Sequence, residues 1–404
     1  MKKRVLFVED EPLLLQMYAS LFDDAPDRWE LMVAANGRQA LQLMERFAFD
    51  VVVSDMMMPG MDGLGLMNEV RTRYPRTSRV ILSVISDQEK VARCLQDTHQ
   101  FIAKPFDIKV LRTTLTRLCG LDAYLKDEKL KTLIGRLGTL PSFPSLYSEI
   151  MKELASTNSS IDAVAAIIGK DPGMTAKMLQ IVNSAAIGLA RKVSSPFEAV
   201  EYLGFGTVRS LVLSAHIFSC FERSNLPELF IQQLWNHALR SAMLAQMIMQ
   251  FEQADRADCE EAYVAGMLHD AGKLMLANSL SDQFQRALAL AAKRHITLHN
   301  AELEVFGAAH GGAAAYLLGL WGLPAAIVEA VAFHHTPGKS DVRTFGPLTA
   351  VHVANVLEQE LSSATPWGQA AEIDGDYLAA VGLENRLEAW RAEASKLLGI
   401  PQKN

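Results

Sequence analysis

A chain of 404 residues is too long for one ordinary core and predicts two or three domains. Half of its residues are hydrophobic and 21% are charged, the balance of a globular chain. A net charge of -7 gives no electrostatic reason to bind bulk DNA or an anionic membrane. The cysteines Cys94, Cys119, Cys220 and Cys259 are scattered without a CxxC pair, which favours reduced thiols over disulfides or a cysteine zinc site. The basic start MKKR meets Glu9 and Asp10 too soon for a signal peptide, and no apolar run is long enough to span a bilayer. The expected location is the cytoplasm.

In chain order, Arg4–Val8, Leu31–Ala34, Val51–Ser54, Val80–Val84 and Phe101–Ala103 read as short buried strands. Residues 11–22, Gly37–Phe47, Leu64–Tyr74, Gln88–Leu95 and Ile108–Leu118 have helical spacing. Alternation of this kind implies an α/β, doubly wound, five-stranded parallel sheet over residues 1–118. Ligands of such sheets gather at the carboxyl ends of the strands. Those ends carry Glu9 and Asp10, Asp55, Ser83, and Lys104.

Three acids at one rim repel unless a cation sits among them, and oxygen donors without His or Cys suit Mg2+. Asp55 at the tip of VVVSD is rigidly held yet near the surface, which suits nucleophilic attack on a phosphoryl donor to give an acyl phosphate. Lys104 and Ser83 would each contact a phosphoryl oxygen. In the turn Met58-Pro59-Gly60-Met61-Asp62-Gly63, proline fixes one torsion and the glycines are expected to permit positive ones.

VEDE at 8–11, D-x-x-M-P-x-M-D-G at 55–63 and Lys104-Pro105-Phe106 together resemble the receiver domain of two-component response regulators. The resemblance implies a CheY-like fold with Asp55 as phosphoacceptor and a sensor histidine kinase as donor. It implies a Mg2+ site formed by Glu9, Asp10, Asp55 and the Met57 carbonyl, with Asp10 a direct ligand. It makes Ser83 the switch hydroxyl and Phe101 the switch aromatic. Met57, bulky and apolar at the second position after Asp55, is expected to slow loss of the phosphoryl group.

Residues 119–138, CGLDAYLKDEKLKTLIGRLG, read as a linker helix with Leu121, Leu125, Leu133, Ile134 and Leu137 on one face. The alternative is a dimerising or signal-relaying helix, so a homodimer stays open. Pro141 and Pro144 then mark a boundary.

From 139 onward the periodicity is helical. Helices are read at 144–155, 160–169, 172–183, 195–202, 205–220, 228–251, 258–278, 281–293, 299–319, 324–334, 344–360 and 383–398. Nine of the ten histidines lie in this half. His269 and Asp270 are adjacent in AGMLHDAGKL, and two such side chains on one helix can share a metal with ligands from other helices. Imidazole with carboxylate suits Fe, Mn, Zn or Ni.

The segments LPSFPSLYSEI, KDPGMTAKMLQIVNSA, SSPFEAVEYLGFGTVRSLVL and AGMLHDAGKLML resemble the HDOD (HD-related output) branch of the HD phosphohydrolase superfamily. The resemblance implies an all-α HD-like domain at 139–340 with a helical extension at 341–404. It also implies a second metal site from His237, His269, Asp270, His310, His334 and His335, with Lys273 as a phosphate contact. The late helix Asp of active HD enzymes is Asn355 here, and Gln233 stands where a Glu can occur. Amides bind a hard divalent cation less well, and HDOD domains generally lack established catalysis.

The expected function is therefore a response regulator whose phosphorylation controls a largely non-catalytic output domain that binds downstream signalling proteins. The alternative is a phosphorylation-regulated, metal-dependent phosphohydrolase of a nucleotide or cyclic di-GMP. Direct DNA binding is not expected, since no compact basic helix-turn-helix appears.

Overall fold

A computed structural model describes every residue except 1, 21–28, 85–96, 136, 138–140, 143–148, 151, 155, 157, 184–190, 205–207, 209–218, 221–227, 363–367 and 400–404. The expected helices at 88–95 and 205–220 therefore lie wholly or largely outside the described residues, as does most of 144–155.

β1 (Lys3–Val8), β2 (Trp29–Ala34), β3 (Val51–Asp55), β4 (Ser78–Ser83) and β5 (Gln100–Ala103) form one parallel sheet in the order β2-β1-β3-β4-β5. Its central strand β3 is buried throughout, as an apolar run without alternation requires. α1 (Pro12–Ser20), α2 (Gly37–Arg46), α3 (Gly63–Arg73) and α4 (Ile108–Gly120) flank it. Asn36, Asp62 and Asp107 cap α2, α3 and α4 with their side chains.

The joint departs from the expected single helix. After α4 comes one 3-10 turn, Leu121–Ala123, and then α5 (Glu128–Ile134), which the Asp127 carboxylate starts by accepting from the Leu130 amide. A capping aspartate inside the segment interrupts the continuous helix that apolar spacing suggested.

A small parallel pair, β6 (Pro141–Ser142) and β7 (Ser219–Cys220), begins the second half, where no strand was expected. The rest is helical: α6 (Ile161–Gly169), α7 (Pro172–Val182), α8 (Pro196–Leu203), α9 (Glu228–Phe251), α10 (Arg256–Leu268), α11 (Ala271–Ser279), α12 (Ser281–Arg294), α13 (Leu298–Phe306), α14 (His310–Leu320), α15 (Ala325–Phe333), α16 (Pro347–Ser362), α17 (Gly375–Ala380) and α18 (Leu387–Leu397).

Two expected helices are each split. The run 258–278 breaks at His269 and Asp270, between α10 and α11. A Cβ on Gly272 would lie 2.0 Å from the His310 carbonyl oxygen, so close approach of α14 fixes the start of α11. The run 299–319 breaks at Gly307, whose φ of 74° ends α13 in a left-handed cap.

The two halves share one continuous apolar core. α14 packs against the joint through a face of small residues. Cβ atoms on Gly312 and Gly319 would fall 2.5 Å from the Tyr124 carbonyl oxygen and 2.3 Å from Leu121 Cδ2. Gln100 at the edge strand donates from Nε2 to the Leu320 carbonyl, 2.7 Å, and Arg79 donates from Nη2 to the Gly135 carbonyl, 2.7 Å. Among the described residues no single helix is long and apolar enough to cross a membrane.

Candidate functional sites at the sheet rim and in the helical core

The sheet brings Glu9, Asp10 and Asp55 together, with one ligand oxygen from each lying within 4.8 Å of the others. Glu9 and Asp55 are nearly buried, while Asp10 is exposed. Lys104 Nζ bridges the pair, donating to Glu9 Oε2 at 2.7 Å and to Asp55 Oδ1. Burial alone would lower the Lys104 ammonium, but its bonds to Asp55 and Glu9 outweigh that and raise it above the usual lysine range. Burial pushes the Glu9 carboxyl up, and Lys104 only partly offsets this. The ammonium thus holds the charge balance that a divalent cation would share.

The loop after β3 is shaped around Asp55. The Met57 amide donates to Asp55 Oδ2 at 2.6 Å. A Cβ on Gly63 would sit 2.3 Å from the Asp55 carbonyl oxygen, so Gly63 serves close backbone approach rather than the positive torsion expected of it. Gly60, at φ 82°, does supply a positive torsion. The Met57 side chain is 70% exposed at the mouth of the pocket. Ser83 ends β4, and its carbonyl accepts from the Lys104 amide at 2.7 Å. Phe101 is fully buried on β5, next to the Gln100 that reaches Leu320.

The second cluster has different chemistry. His237 on α9, His269 and Asp270 at the α10–α11 break, His310 at the start of α14, and His334 after α15 converge in the helical core, each 4% exposed or less. His237 Nδ1 donates to Glu358 Oε2 at 2.5 Å, and His310 Nδ1 to Glu302 Oε2 at 2.5 Å. His269 Nδ1 donates to the Gly266 carbonyl at 2.6 Å, and His334 Nδ1 to the Val331 carbonyl at 2.8 Å. All four Nδ1 atoms face carboxylate or carbonyl oxygens, which leaves the Nε2 atoms turned toward the centre of the cluster. Burial alone would lower the His310 imidazole, but Glu302 and the bond to Asp270 outweigh it and raise it above the usual histidine range.

Those nitrogens lie in two close pairs. His237 Nε2 and His269 Nε2 are 3.2 Å apart, and His310 Nε2 and His334 Nε2 are 3.3 Å apart. Two nitrogens on one tetrahedral ion, each about 2.0–2.1 Å from it, sit about 3.3 Å from each other. Burial holds His269 at about 4, and burial with neighbouring imidazoles holds His334 and His335 well below the usual histidine range. The donor set fits the divalent ion that HD-type domains bind.

Asp270 divides the cluster into two half-sites. Its Oδ2 lies 3.5 Å from His237 Nε2 and 3.4 Å from His269 Nε2, and Asn355 Oδ1 joins this group 3.1 Å from His237 Nε2. Its Oδ1 lies 3.1 Å from His310 Nε2 and 3.9 Å from His334 Nε2, with His335 completing the second group. Lys273 Nζ donates to Oδ2 at 2.6 Å. Burial alone would raise the Asp270 carboxyl, but His269, Lys273 and His310 outweigh it and hold it well below its usual range. The sequence reading of one site thus becomes two donor sets sharing a carboxylate.

His352 supplies an internal contrast. Its Nδ1 donates to the His334 carbonyl at 2.7 Å and its Nε2 accepts from the Asp374 amide at 2.9 Å. That is a structural histidine with both ring nitrogens hydrogen-bonded. Sequence reasoning missed Glu302, Glu358 and His299. Glu358 lies one turn beyond Asn355, a spacing that puts both on one helix face. The His299 ring centroid lies 4.8 Å from that of His335, and nothing in the sequence near His299 signals it.

The HDOD domain family matches residues 140–337, and the response regulator receiver domain family matches residues 5–116. The chain is 23% identical over 238 residues to an uncharacterized protein of Treponema pallidum, covering 59% of this chain and 46% of that one. It is 28% identical over 138 residues to a cyclic di-GMP phosphodiesterase of Thermotoga maritima, covering 32% and 36%. It thus spans less than half the length of these curated relatives. The crystal structure of the MmoQ response regulator from Methylococcus capsulatus aligns with a TM-score of 0.49 at 23% identity, over 63% of this chain and 97% of that one. Receiver domains generally bind Mg2+ and accept phosphoryl groups from histidine kinases. With a receiver family match on the sheet and an HDOD match on the helices that follow, the chain is a two-component response regulator with an HDOD output domain.

Proposed function

We propose that Asp55 accepts the phosphoryl group, with Mg2+ held by Glu9, Asp10, Asp55 and the Met57 carbonyl, and that the resulting change reaches the histidine cluster along α14. Lys104 would shift from Asp55 toward the incoming phosphoryl oxygens, and Ser83 would donate to another. The observation that carries this reading is the placement of α14. Its last residue, Leu320, accepts from Gln100 beside Phe101, and its first, His310, belongs to the cluster. An eleven-residue helix spans about 16 Å, so one element links the start of β5, the strand that leads to Lys104 at the rim, to the histidine cluster. The output is then a metal-organised helical surface that binds a downstream signalling protein differently in the two states.

Hydrogen exchange over 310–320 tests the coupling. Beryllofluoride with Mg2+ should change protection there in the native chain and leave Asp55→Asn unchanged. Equal protection in all samples would rule the relay out.

A second reading, metal-dependent hydrolysis of a phosphodiester such as cyclic di-GMP, is favoured by the shared Asp270 carboxylate, the two close pairs of imidazole nitrogens and Lys273. Here the bound metal would supply an activated water. Asp270 and the histidines would hold it, and Lys273 would contact phosphate. Turnover of cyclic di-GMP with Mn2+ that disappears in Asp270→Asn would establish this reading, and absence of turnover in the metal-loaded chain would leave the binding role.

A further inference from the structure

We propose that the seam between the receiver and the HDOD domain is a binding site for a small phosphorylated molecule, a nucleoside diphosphate being the type of ligand it fits. A cavity of about 420 Å³ opens there, within the range that holds small-molecule ligands. Lys109 and Arg117 line it from α4 of the receiver, and Arg191 and Lys192 line it from the helical side. Among the described residues no acidic side chain lines it, in a chain that carries more acids than bases. Elsewhere on the surface, cations such as Arg73 and Arg391 pair with carboxylates.

Among the described residues, Arg191 alone of the four cations has a carboxylate beside it, Glu198. Arg117 Nη1 is sealed from solvent without an acceptor. Burial takes this guanidinium down to about 10. Lys192 Nζ donates to the Asn183 carbonyl at 2.7 Å. Burial and then the Arg117 charge take the Lys192 ammonium down to about 8. Cations from two domains therefore line one partly dry seam, where an anion would offset their charge. A phosphate or pyrophosphate group offers acceptor oxygens for both.

Gly322, at φ 81°, preserves the space. A Cβ there would lie 2.6 Å from Arg117 Nη1. Val110, Val182 and Leu323 give the cavity an apolar wall for the body of the ligand. Because the site needs residues of both domains, ligand and Asp55 phosphorylation should alter each other's affinity by the same factor. The site itself shares no residue with either metal cluster, so it stands or falls separately from the metal reading.

Titration calorimetry on the full chain tests this, with ADP and inorganic pyrophosphate as probes in excess EDTA, so that neither metal centre takes part. Saturable binding of at least one probe is expected. Lys109→Gln and Lys192→Gln should each weaken it by about tenfold, near 1.4 kcal/mol. Arg38→Gln, on an exposed part of α2, and Asp270→Asn should leave it unchanged. Equal affinities would mean that the site reads the phosphates alone, and tighter ADP binding would mean that the apolar wall contributes. Absence of binding by both probes at millimolar concentration, or binding indifferent to Lys109→Gln and Lys192→Gln, would overturn the proposal.

Discussion

At the sheet rim, three carboxylates face one ammonium across a pocket that solvent reaches through Asp10. In the helical core, one carboxylate faces five imidazoles in a closed interior. The first set is all oxygen and partly open, so it suits a hard, exchangeable ion and a donor that must come and go. The second is mostly nitrogen, with Nδ1 of His237, His269, His310 and His334 tied to carboxylates and carbonyls on the far side of the ring. It suits a retained transition metal. The proposed roles differ accordingly: transient chemistry at the rim, lasting organisation in the core.

The comparison can be broken first at the rim. Asp55→Asn should abolish phosphorylation by acetyl phosphate, read by mass spectrometry of the intact chain, while metal in the helical core stays in place. Next, Glu358→Gln or Glu302→Gln should weaken transition-metal binding by about 10–100-fold, because each carboxylate fixes the tautomer of a ligating histidine. Phosphorylation of Asp55 should survive both changes. A loss of metal in neither variant would mean that the two carboxylates do not orient the rings.

Smaller effects sharpen the contrast. Met57→Asn replaces an exposed apolar cover at the pocket mouth with a side chain that can hold water. It should shorten the phosphoryl half-life several-fold, and a half-life unchanged or longer would count against the cover. Gly272→Ala should cost about 1–3 kcal/mol in denaturant unfolding, since its Cβ meets the His310 backbone. Smallest of all, Asp127→Ala removes the cap of α5 and should cost about 1 kcal/mol.

The rim was legible because a parallel sheet sends every strand end to one edge, so short motifs scattered over a hundred residues can be assembled without coordinates. Asp55, Glu9 and Lys104 fall into place by that rule alone. The helical core obeys no such rule. The histidines announced themselves by motif, but Glu302 and Glu358 reach them from α13 and α16 through packing that periodicity does not reveal. The break at His269 and Asp270 was hidden for a related reason. Apolar spacing runs through it unbroken, and the close approach of α14 at Gly272 is a contact that such spacing does not reveal. The joint was different: Asp127 followed by a helical run is a capping signal, and apolar spacing across it obscured a stop that was present in the sequence.

The most direct test of the central claim is metal content of the purified chain by plasma mass spectrometry, native against Asp270→Asn. The account predicts Fe, Mn or Zn at or above one ion per chain in the native protein and loss of that metal in the variant, with Asp55 still phosphorylated by acetyl phosphate. Transition metal at background in the native protein, or the same content in both, would contradict it.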